Sequence, residues 1–337
     1  MCGIAGIINS GLQPERLMSI GQAMADQLQH RGPDGNGVKV LESKKMGKIL
    51  LVHTRLSIID LSDRASQPMS SIDERVWISF NGEIYNFQEI KEELVSLGFI
   101  FNTDSDTEVI INAYKQWGIK CFKKFIGMWA LALWDKDKDR LILSRDRLGI
   151  KPLYYSFDGK ALIFGSEPKV ILGQAPNSRK LNIQALSDYL SYRYVLDGSS
   201  FFSGIDSVSA GTNIIFENGN IVEERFWDLP IVKDKINPEE SMARESLEEL
   251  MYSSVRYRMI SDVPVGSFLS GGLDSSILVA LMSEMHPDPI KTFTIGFDDD
   301  GFNEFEHARK VADHCDTNHK EILLDASSYL DSLRTMI

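Results

Sequence analysis

The N-terminal stretch Met1-Cys2-Gly3-Ile4-Ala5-Gly6-Ile7-Ile8 places a thiol directly after the first methionine and ahead of a short apolar segment. If Met1 is removed, Cys2 carries a nucleophilic sulfur and a free α-amino group on one residue. That amine has a reference pKa of about 7.7–8.0, so it can serve as the general base for its own side chain. The two glycines permit close backbone approach, and the apolar residues predict a buried strand. From this stretch alone, a chance cysteine beside a buried strand is the competing interpretation.

The composition is typical of a globular protein with two domains. The chain has 337 residues, of which 43% are hydrophobic and 25% charged. No apolar run approaches the roughly 18 residues of a membrane helix, and a formal net charge of −12 disfavours nucleic acid or an anionic membrane as main partner. Cys2, Cys121 and Cys315 are far apart and odd in number, which favours a reducing compartment. We therefore expect a cytoplasmic protein that binds neither nucleic acid nor membrane.

Residues 1 to about 220 carry short β signals separated by turns. Apolar runs predict strands over residues 49–52, 76–80, 128–134 and 141–143. Asp158-Gly159 and Asn218-Gly219 each lie between two such runs and predict type I′ hairpin turns. Helical spacing, with a glycine just beyond each end, predicts helices over residues 86–97 and 107–117. Layers of antiparallel strands with helices outside them are the architecture expected for this half.

The pattern changes after residue 220. Residues 221–238 contain two prolines and many charges, so we predict domains over residues 2–220 and 239–337 with a linker between them. The sequence Asn237-Pro238-Glu239-Glu240 predicts a helix start. Beyond it, strands and helices alternate: strands over 265–269, 292–297 and 321–324, and helices over 275–285 and 303–314. This alternation predicts an α/β domain with a parallel sheet.

The segment Ser270-Gly271-Gly272-Leu273-Asp274-Ser275-Ser276 follows a predicted strand and opens a predicted helix. Small residues there let backbone amides converge on an anion at the helix N-terminus, and the serine hydroxyls add donors. Asp274 can hold a Mg²⁺ ion that bridges phosphate oxygens. No Gly-Lys-Ser/Thr follows, so the segment is not a Walker A loop. A plain strand-to-helix turn is the competing interpretation.

Polar residues at strand and helix ends form the candidate site of the first half. Arg55 lies at a strand end and is suited to bidentate recognition of a carboxylate. The amide of Asn81 beside the N–H of Gly82 can form an oxyanion hole. Glu83 and Asp106 can bind an ammonium group. Taken singly, a surface arginine, an Asn-Gly turn and a helix cap are the competing interpretations. A rigid turn and loop packing, without a catalytic role, are predicted for residues 30–34 and 145–155.

Taken in series, these motifs resemble a known family. The similarity to class II glutamine amidotransferases rests on Cys2-Gly3-Ile4, Arg55-Leu56-Ser57-Ile58 and residues 31–34, 81–86 and 145–155. With residues 261–266 and 269–276 added, nearly the whole chain resembles the glutamine-hydrolysing asparagine synthetases. The implied fold is an α+β N-terminal-nucleophile amidotransferase sandwich with α-β-β-α layers. An α/β ATP-pyrophosphatase domain with a parallel sheet follows it.

The resemblance also implies a role for each matching residue. In the first half, Cys2 is the nucleophile and Arg55 binds the α-carboxylate of glutamine. Asn81 and Gly82 form the oxyanion hole, and Glu83 and Asp106 hold the α-amino group. In the second half, the pyrophosphate of ATP is bound by Ser270, Gly271, Gly272, Asp274 and Ser275. The Mg²⁺ ion that accompanies ATP is held at Asp274. The adenine site is lined by Leu269 and Ile295.

The activity implied by the resemblance is that of an ATP-dependent carbon–nitrogen ligase with glutamine as amido donor. Glutamine is hydrolysed to glutamate and ammonia, while ATP adenylates aspartate for amidation to asparagine. Two alternatives stay open: amidation of another carboxylate such as a sugar acid, and a truncated glutaminase-only or regulatory chain. A homodimer is also left open. The family's synthetase domain is longer and has a second Gly- and acid-rich loop. We therefore expect an incomplete ATP domain, and glutamine hydrolysis without asparagine synthesis.

Overall fold

The chain consists of two compact units, Met1–Ile231 and Val232–Ile337, each described here by itself. The computed structural model describes residues 1–9, 11–174, 179–196, 198–231, 239–297 and 303–325. Within that part of the chain, no helix has the length and apolar character needed to cross a membrane.

The first unit is built from two antiparallel sheets. Its strands are β1 (Gly3–Asn9), β2 (Gly35–Glu42), β3 (Lys48–Arg55), β4 (Met69–Ser70), β5 (Val76–Ile84), β6 (Gly127–Asp135), β7 (Arg140–Arg145), β8 (Tyr154–Phe157), β9 (Leu162–Gly165), β10 (Asp206–Ser207), β11 (Thr212–Glu217) and β12 (Asn220–Arg225). One sheet has the order β10-β8-β9-β1-β3-β2, and the other has the order β12-β11-β7-β6-β5-β4. β1 is therefore an inner strand, hydrogen-bonded to β3 on one side and to β9 on the other.

The helices of this unit are α1 (Pro14–Leu28), α2 (Phe87–Ser96), α3 (Asp106–Trp117), α4 (Pro168–Leu172) and α5 (Ile183–Tyr192). The outer face of the first sheet is covered by α1 and α4, and that of the second sheet by α3 with α2 beside it. Buried side chains of α1, among them Leu17 and Met24, pack against the first sheet at Val52. On the other side, α3 contacts β5 and α2 contacts α3. The apolar core between the sheets includes Ile4 and Trp134. These layers confirm the predicted α-β-β-α sandwich.

Two-residue hairpin turns were predicted at two places, and the structure confirms one of them. Asn218 and Gly219 both have positive φ, at 52° and 78°, and join β11 to β12 as the predicted two-residue turn. The Asp158-Gly159 prediction of a two-residue turn is wrong, because Phe157 pairs with Leu162 and four residues form the loop. There the Asp158 carboxylate accepts hydrogen bonds from the N–H groups of Lys160 and Ala161. These bonds stabilise the longer loop. Residues 221–225, predicted as linker, lie in β12 because they pair with β11.

The second unit contains the predicted alternation of strand and helix. Its elements are α6 (Glu240–Arg258), β13 (Gly266–Phe268), α7 (Leu273–Met285), β14 (Lys291–Phe297), α8 (Phe305–His314) and β15 (Asn318–Leu324). The three strands are parallel in the order β13-β14-β15, which confirms the predicted sheet. Leu269 and Val279 pack with two alanines of α8 in a small buried core. The predicted helix start at residues 237–238 lies outside the described residues.

We expect Leu143→Ala to lower the free energy of unfolding of the first unit by about 2–5 kcal/mol. The Leu143 side chain is fully buried between the sheets, so its removal leaves a cavity. All five tryptophans lie in residues 1–231, so urea unfolding followed by tryptophan fluorescence reports this unit. Leu190→Ala, at a leucine that is 74% exposed, is the control and should change stability by under about 0.5 kcal/mol. Similar losses in both variants would contradict the placement of the core.

Candidate active site

A cavity of about 220 Å³ opens beside the N-terminus of the first unit. Its walls come from the start of β1, the segment after β3, the middle of β5 and the first residues of α3. Every site residue predicted in the first half lines it: Cys2, Arg55, Asn81, Gly82, Glu83 and Asp106. Residues that are up to 104 positions apart in sequence thus share one small volume.

Cys2 directly precedes β1 and is held in place by the backbone of Leu56. The Leu56 N–H donates to the Cys2 Sγ at 3.3 Å, and the thiol lies 3.6 Å from the Leu56 carbonyl oxygen. Burial raises the pKa of the Cys2 thiol, while the Leu56 hydrogen bond and the N-terminal amine act in the opposite direction. Burial also lowers the pKa of the amine at Met1. Burial is the largest of these effects on the thiol, so the pKa of Cys2 lies above its ordinary value despite the two opposing groups.

Arg31 links Cys2 to Glu167, which follows β9. Its Nε donates to the Cys2 carbonyl oxygen at 3.1 Å, and its Nη1 donates to Glu167 Oε1 at 2.9 Å. Burial alone would raise the pKa of Glu167, but hydrogen bonds from Lys169, Arg31 and His30 outweigh it and lower the pKa to about 2. Residues 30–34 form more than the rigid turn predicted from sequence, because Arg31 also anchors the backbone of Cys2.

Arg55 ends β3 and points its guanidinium along the cavity wall. Nη1 donates to the Ser62 carbonyl oxygen at 2.9 Å, and Nη2 donates to the Asp60 carbonyl oxygen. Neutral carbonyls fix the planar group without neutralising its charge. Such a guanidinium can receive a carboxylate through two parallel hydrogen bonds.

Asn81 and Gly82 lie side by side on β5, opposite Ala130 and Trp129 of β6. Asn81 is buried, and its Nδ2 atom has no hydrogen-bond partner within the described ranges. A Cβ on Gly82 would lie 2.1 Å from the carbonyl oxygen of Met128, so no side chain fits there. An unpaired buried N–H beside a cavity is costly unless it serves a partner. Here it can donate to a negatively charged oxygen that forms within the cavity.

Glu83 and Asp106 place two carboxyl groups in the same cavity. Asp106 is the first residue of α3, and its Oδ2 accepts the Ile84 N–H at 3.0 Å. Burial, reinforced by the charge of Glu83 and opposed by the Ile84 hydrogen bond, raises the pKa of Asp106 to about 7. An ammonium group between these carboxyls would favour ionisation of both. The pair therefore fits the predicted ammonium site.

Two further residues of the cavity were not predicted as site residues, Gln67 and Lys151. Gln67 bridges elements: its Oε1 accepts the Phe80 N–H at 2.6 Å and its Nε2 donates to the Thr107 hydroxyl. Lys151 belongs to the segment that was predicted to serve loop packing. The sequence contains no local signal for either placement, because both depend on which distant strands come together.

In the second unit, the predicted phosphate loop joins β13 to the N-terminus of α7. Gly271 has a φ of 78°, and a Cβ there would lie 2.4 Å from the backbone of His307 in α8. Gly272 caps α7 without a side-chain hydrogen bond, so no side chain of the cap covers the first N–H groups of the helix. The Ser270 and Ser275 hydroxyls lie 3.0 Å apart in the loop. These features fit an anion such as a phosphate group.

The other predicted nucleotide contacts have different surroundings. The side chain of Leu269 is buried against α7 and α8, whereas Ile295 is 41% exposed. Their contact with an adenine stays a prediction. Asp274 lies in the exposed first turn of α7. No group of three or more acidic, histidine or cysteine ligands occurs within the described ranges.

Comparison with known proteins assigns a family to each half. Residues 1–227 match the family described as "Glutamine amidotransferase domain", and residues 246–337 match "Asparagine synthase". Asparagine synthetase [glutamine-hydrolyzing] 1 of Bacillus subtilis is 35% identical, over 100% of this chain and 52% of that protein. A putative asparagine synthetase [glutamine-hydrolyzing] 2 of Methanocaldococcus jannaschii is 38% identical, over 95% of this chain and 64% of that protein. The chain thus spans about half to two thirds of these relatives.

Several solved structures are also similar to the chain. Among them is the glutamine phosphoribosylpyrophosphate amidotransferase of B. subtilis in complex with ADP and GMP, with a TM-score of 0.48 and 19% identity. The match covers 95% of this chain and 65% of that one.

We expect Asp106→Asn to stabilise the first unit more at pH 8 than at pH 5, by at least about 2 kcal/mol. The carboxyl titrates near 7 in the folded protein and at its ordinary value near 3.8 when unfolded. Between those values the folded form holds a proton that the unfolded form has lost, so stability falls as pH rises to about 7. Urea unfolding by tryptophan fluorescence at the two pH values measures the difference.

Asp63→Asn, which replaces an exposed carboxyl, is the matched control and should have the same effect at both pH values. If Asp106→Asn behaved like this control, Asp106 would be an ordinary ionised carboxylate and the raised pKa would be wrong.

Proposed function

Because this chain belongs to the glutamine amidotransferase domain family through residues 1–227, we propose that its first unit hydrolyses glutamine to glutamate and ammonia. The observation that carries the proposal is the single cavity that brings Cys2, Arg55, Asn81 and Asp106 together. Each of these groups matches one part of glutamine or of its reaction. The thiol matches the side-chain amide carbon, and the guanidinium matches the α-carboxylate. The unpaired amide matches the oxyanion, and the carboxyl pair matches the α-ammonium group.

Recognition of glutamine follows from the charges of the cavity. Arg55 binds the α-carboxylate with the guanidinium edge that its carbonyl partners orient. Glu83 and Asp106 bind the α-ammonium group. Because the pKa of Asp106 is raised to about 7, binding of the ammonium draws this carboxyl toward its ionised form.

Chemistry proceeds at the other end of the substrate. Removal of Met1 leaves a free amine on Cys2, which takes the thiol proton as the sulfur attacks the side-chain amide carbon. The developing oxyanion accepts hydrogen bonds from Asn81 Nδ2 and the Gly82 N–H. The amine returns the proton to the leaving nitrogen, so ammonia departs and a thioester forms. A water molecule then cleaves the thioester to release glutamate and restore the thiol.

For the second unit, we propose that it supplies the phosphate-binding part of a site that uses ATP to adenylate aspartate for amidation to asparagine. The support is the match of residues 246–337 to the asparagine synthase family and the anion-binding geometry at residues 270–275. Backbone amides at the start of α7, with Ser270 and Ser275, bind the phosphates. A magnesium ion held by Asp274 and the phosphate oxygens would neutralise charge on the departing pyrophosphate. A cytoplasmic location remains the expectation from the cysteine pattern.

The two activities can be separated by Cys2→Ala in the full natural protein. We expect this variant to lose glutamate release from glutamine. It should keep aspartate-dependent pyrophosphate release from ATP when ammonium chloride replaces glutamine, because the second site does not use the thiol. Both products are measured with wild type alongside, and intact mass tests whether mature protein begins at Cys2. Replacing aspartate with other carboxylates, including sugar acids, identifies the acceptor.

Cys315→Ala, in the second unit, is the matched control and should retain glutamate release. Full glutamate release by Cys2→Ala, or active protein that keeps Met1, would remove the proposed nucleophile or its base.

Substrate binding and oxyanion stabilisation should affect different kinetic parameters. Arg55→Lys should raise KM for glutamine about ten- to a hundredfold, because a point charge loses one of two charge-assisted hydrogen bonds. Asn81→Ala should instead lower kcat by about 10²–10³-fold with KM little changed, because the oxyanion exists only during reaction. Steady-state glutaminase kinetics distinguish the two effects.

Arg64→Lys, at an exposed arginine, is the control for the first substitution and should alter neither parameter. If Arg55→Lys and Asn81→Ala shifted the same parameter, the two roles would be assigned incorrectly.

A further inference from the structure

Lys151 enters the cavity because the backbone before it is tightly fixed. The guanidinium of Arg145 donates to the carbonyl oxygens of Gly149 and Lys151 at 2.7 and 2.8 Å. The fully buried carboxylate of Asp146 accepts the N–H groups of Ile150 and Lys151 at 2.9 and 3.0 Å. The backbone of Lys151 is thus held on both sides, and the residue lines the cavity beside Cys2.

The side chain of Lys151 is only 6% exposed, yet its Nζ atom makes no hydrogen bond or ion pair with any residue of the described chain. Burial lowers the pKa of Lys151, so its ammonium is favoured by a negative charge nearby. The charged or ionisable groups that face it are Glu83 of β5, Cys2, Arg31 and Asp146. Of these, the carboxylate of Asp146 is already occupied by backbone N–H groups.

The two arginines near the thiol have other roles. Arg55 is assigned to the α-carboxylate of the substrate. Arg31 bonds the Cys2 carbonyl and Glu167, although its buried Nη2 has no hydrogen-bond partner within the described residues. The N-terminal amine must be neutral to accept the thiol proton, so it cannot also supply a permanent positive charge. This leaves Lys151 as the cation of the cavity with no assigned partner.

We propose that Lys151 is a positioning residue whose ammonium supplies the counter-charge for the Cys2 thiolate. The role deepens the proposed glutaminase site and rests on it for its place in the reaction. It concerns the resting thiol as well, since Lys151 and Cys2 line the same cavity. When the ammonium of the substrate occupies Glu83 and Asp106, the attraction between Glu83 and Lys151 weakens, and the thiolate becomes the main negative charge opposite Lys151.

The electrostatics of both groups agree with this arrangement. Burial raises the pKa of Cys2, and the Leu56 hydrogen bond and the N-terminal amine oppose that rise. Asp106 reinforces it, and the positive charge of Lys151 adds a smaller opposing effect. Burial lowers the pKa of Lys151, and the charges of Glu83 and Cys2 oppose that fall. Each group therefore helps the other to stay ionised, which raises the fraction of nucleophilic thiolate near neutral pH.

The test measures the pH dependence of Cys2 alkylation by iodoacetamide, followed by mass spectrometry of the N-terminal peptide. Only the thiolate reacts, so the midpoint of the rate profile reports the Cys2 pKa without requiring glutaminase activity. We expect Lys151→Met to raise the midpoint by about one pH unit and slow alkylation at pH 7 about tenfold. Lys151→Arg, which keeps the charge, should leave the midpoint near that of wild type. Lys151→Gln is a second neutral variant, and near-ultraviolet circular dichroism verifies its fold.

Lys160→Met is the matched control, because it removes the same charge from an exposed site nine residues further along the chain. An unchanged midpoint in the folded neutral variants would overturn the proposal. So would an equal shift in Lys160→Met, or a shift in Lys151→Arg as large as that in Lys151→Met. If the midpoint shifts as expected but wild type does not hydrolyse glutamine, the proposed function fails while the role of Lys151 stands.

Discussion

The pairing of β1 with a strand on each side is the constraint on which the active site depends. Chain termini usually fray, but Gly3 pairs with Thr54 of β3, and Ile8 pairs with Leu162 of β9. A Cβ on Gly3 would lie 2.6 Å from the Thr54 hydroxyl, so the strands meet too closely for any side chain there. Because Cys2 directly precedes this locked strand, its thiol has a defined position relative to Arg55 at the end of β3.

Burial acts on the ionisable groups of the cavity in one direction, toward their neutral forms. It raises the pKa of Cys2 and Asp106 and lowers that of Lys151. Opposite charges within the same small volume counteract this effect, so the protonation of each group depends on its neighbours. A zwitterionic substrate brings one charge of each sign into that balance. Binding and nucleophile activation are therefore electrostatically linked.

The candidate sites of the two units share one structural feature, which is a glycine that another element approaches closely. β6 leaves no room for a side chain at Gly82, and α8 leaves none at Gly271. In both cases the backbone at the glycine borders a place where a negative charge is expected. The first unit adds a buried core between two sheets, whereas the second has a small core around Leu269.

The sequence by itself determined several of the elements and the residue types of the site. Periodicity and turn chemistry are local, so the helices α2 and α3, the parallel strands of the second unit and the Asn218-Gly219 turn could be predicted. The motifs also indicated Cys2 and Asp106 before their proximity was known. Pairing register is not local, and only the tertiary structure decided that β12 belongs to the first unit and that the loop at Asp158 has four residues. It also placed Lys151 in the cavity, because that position depends on hydrogen bonds made by Arg145 and Asp146 after distant strands have packed together.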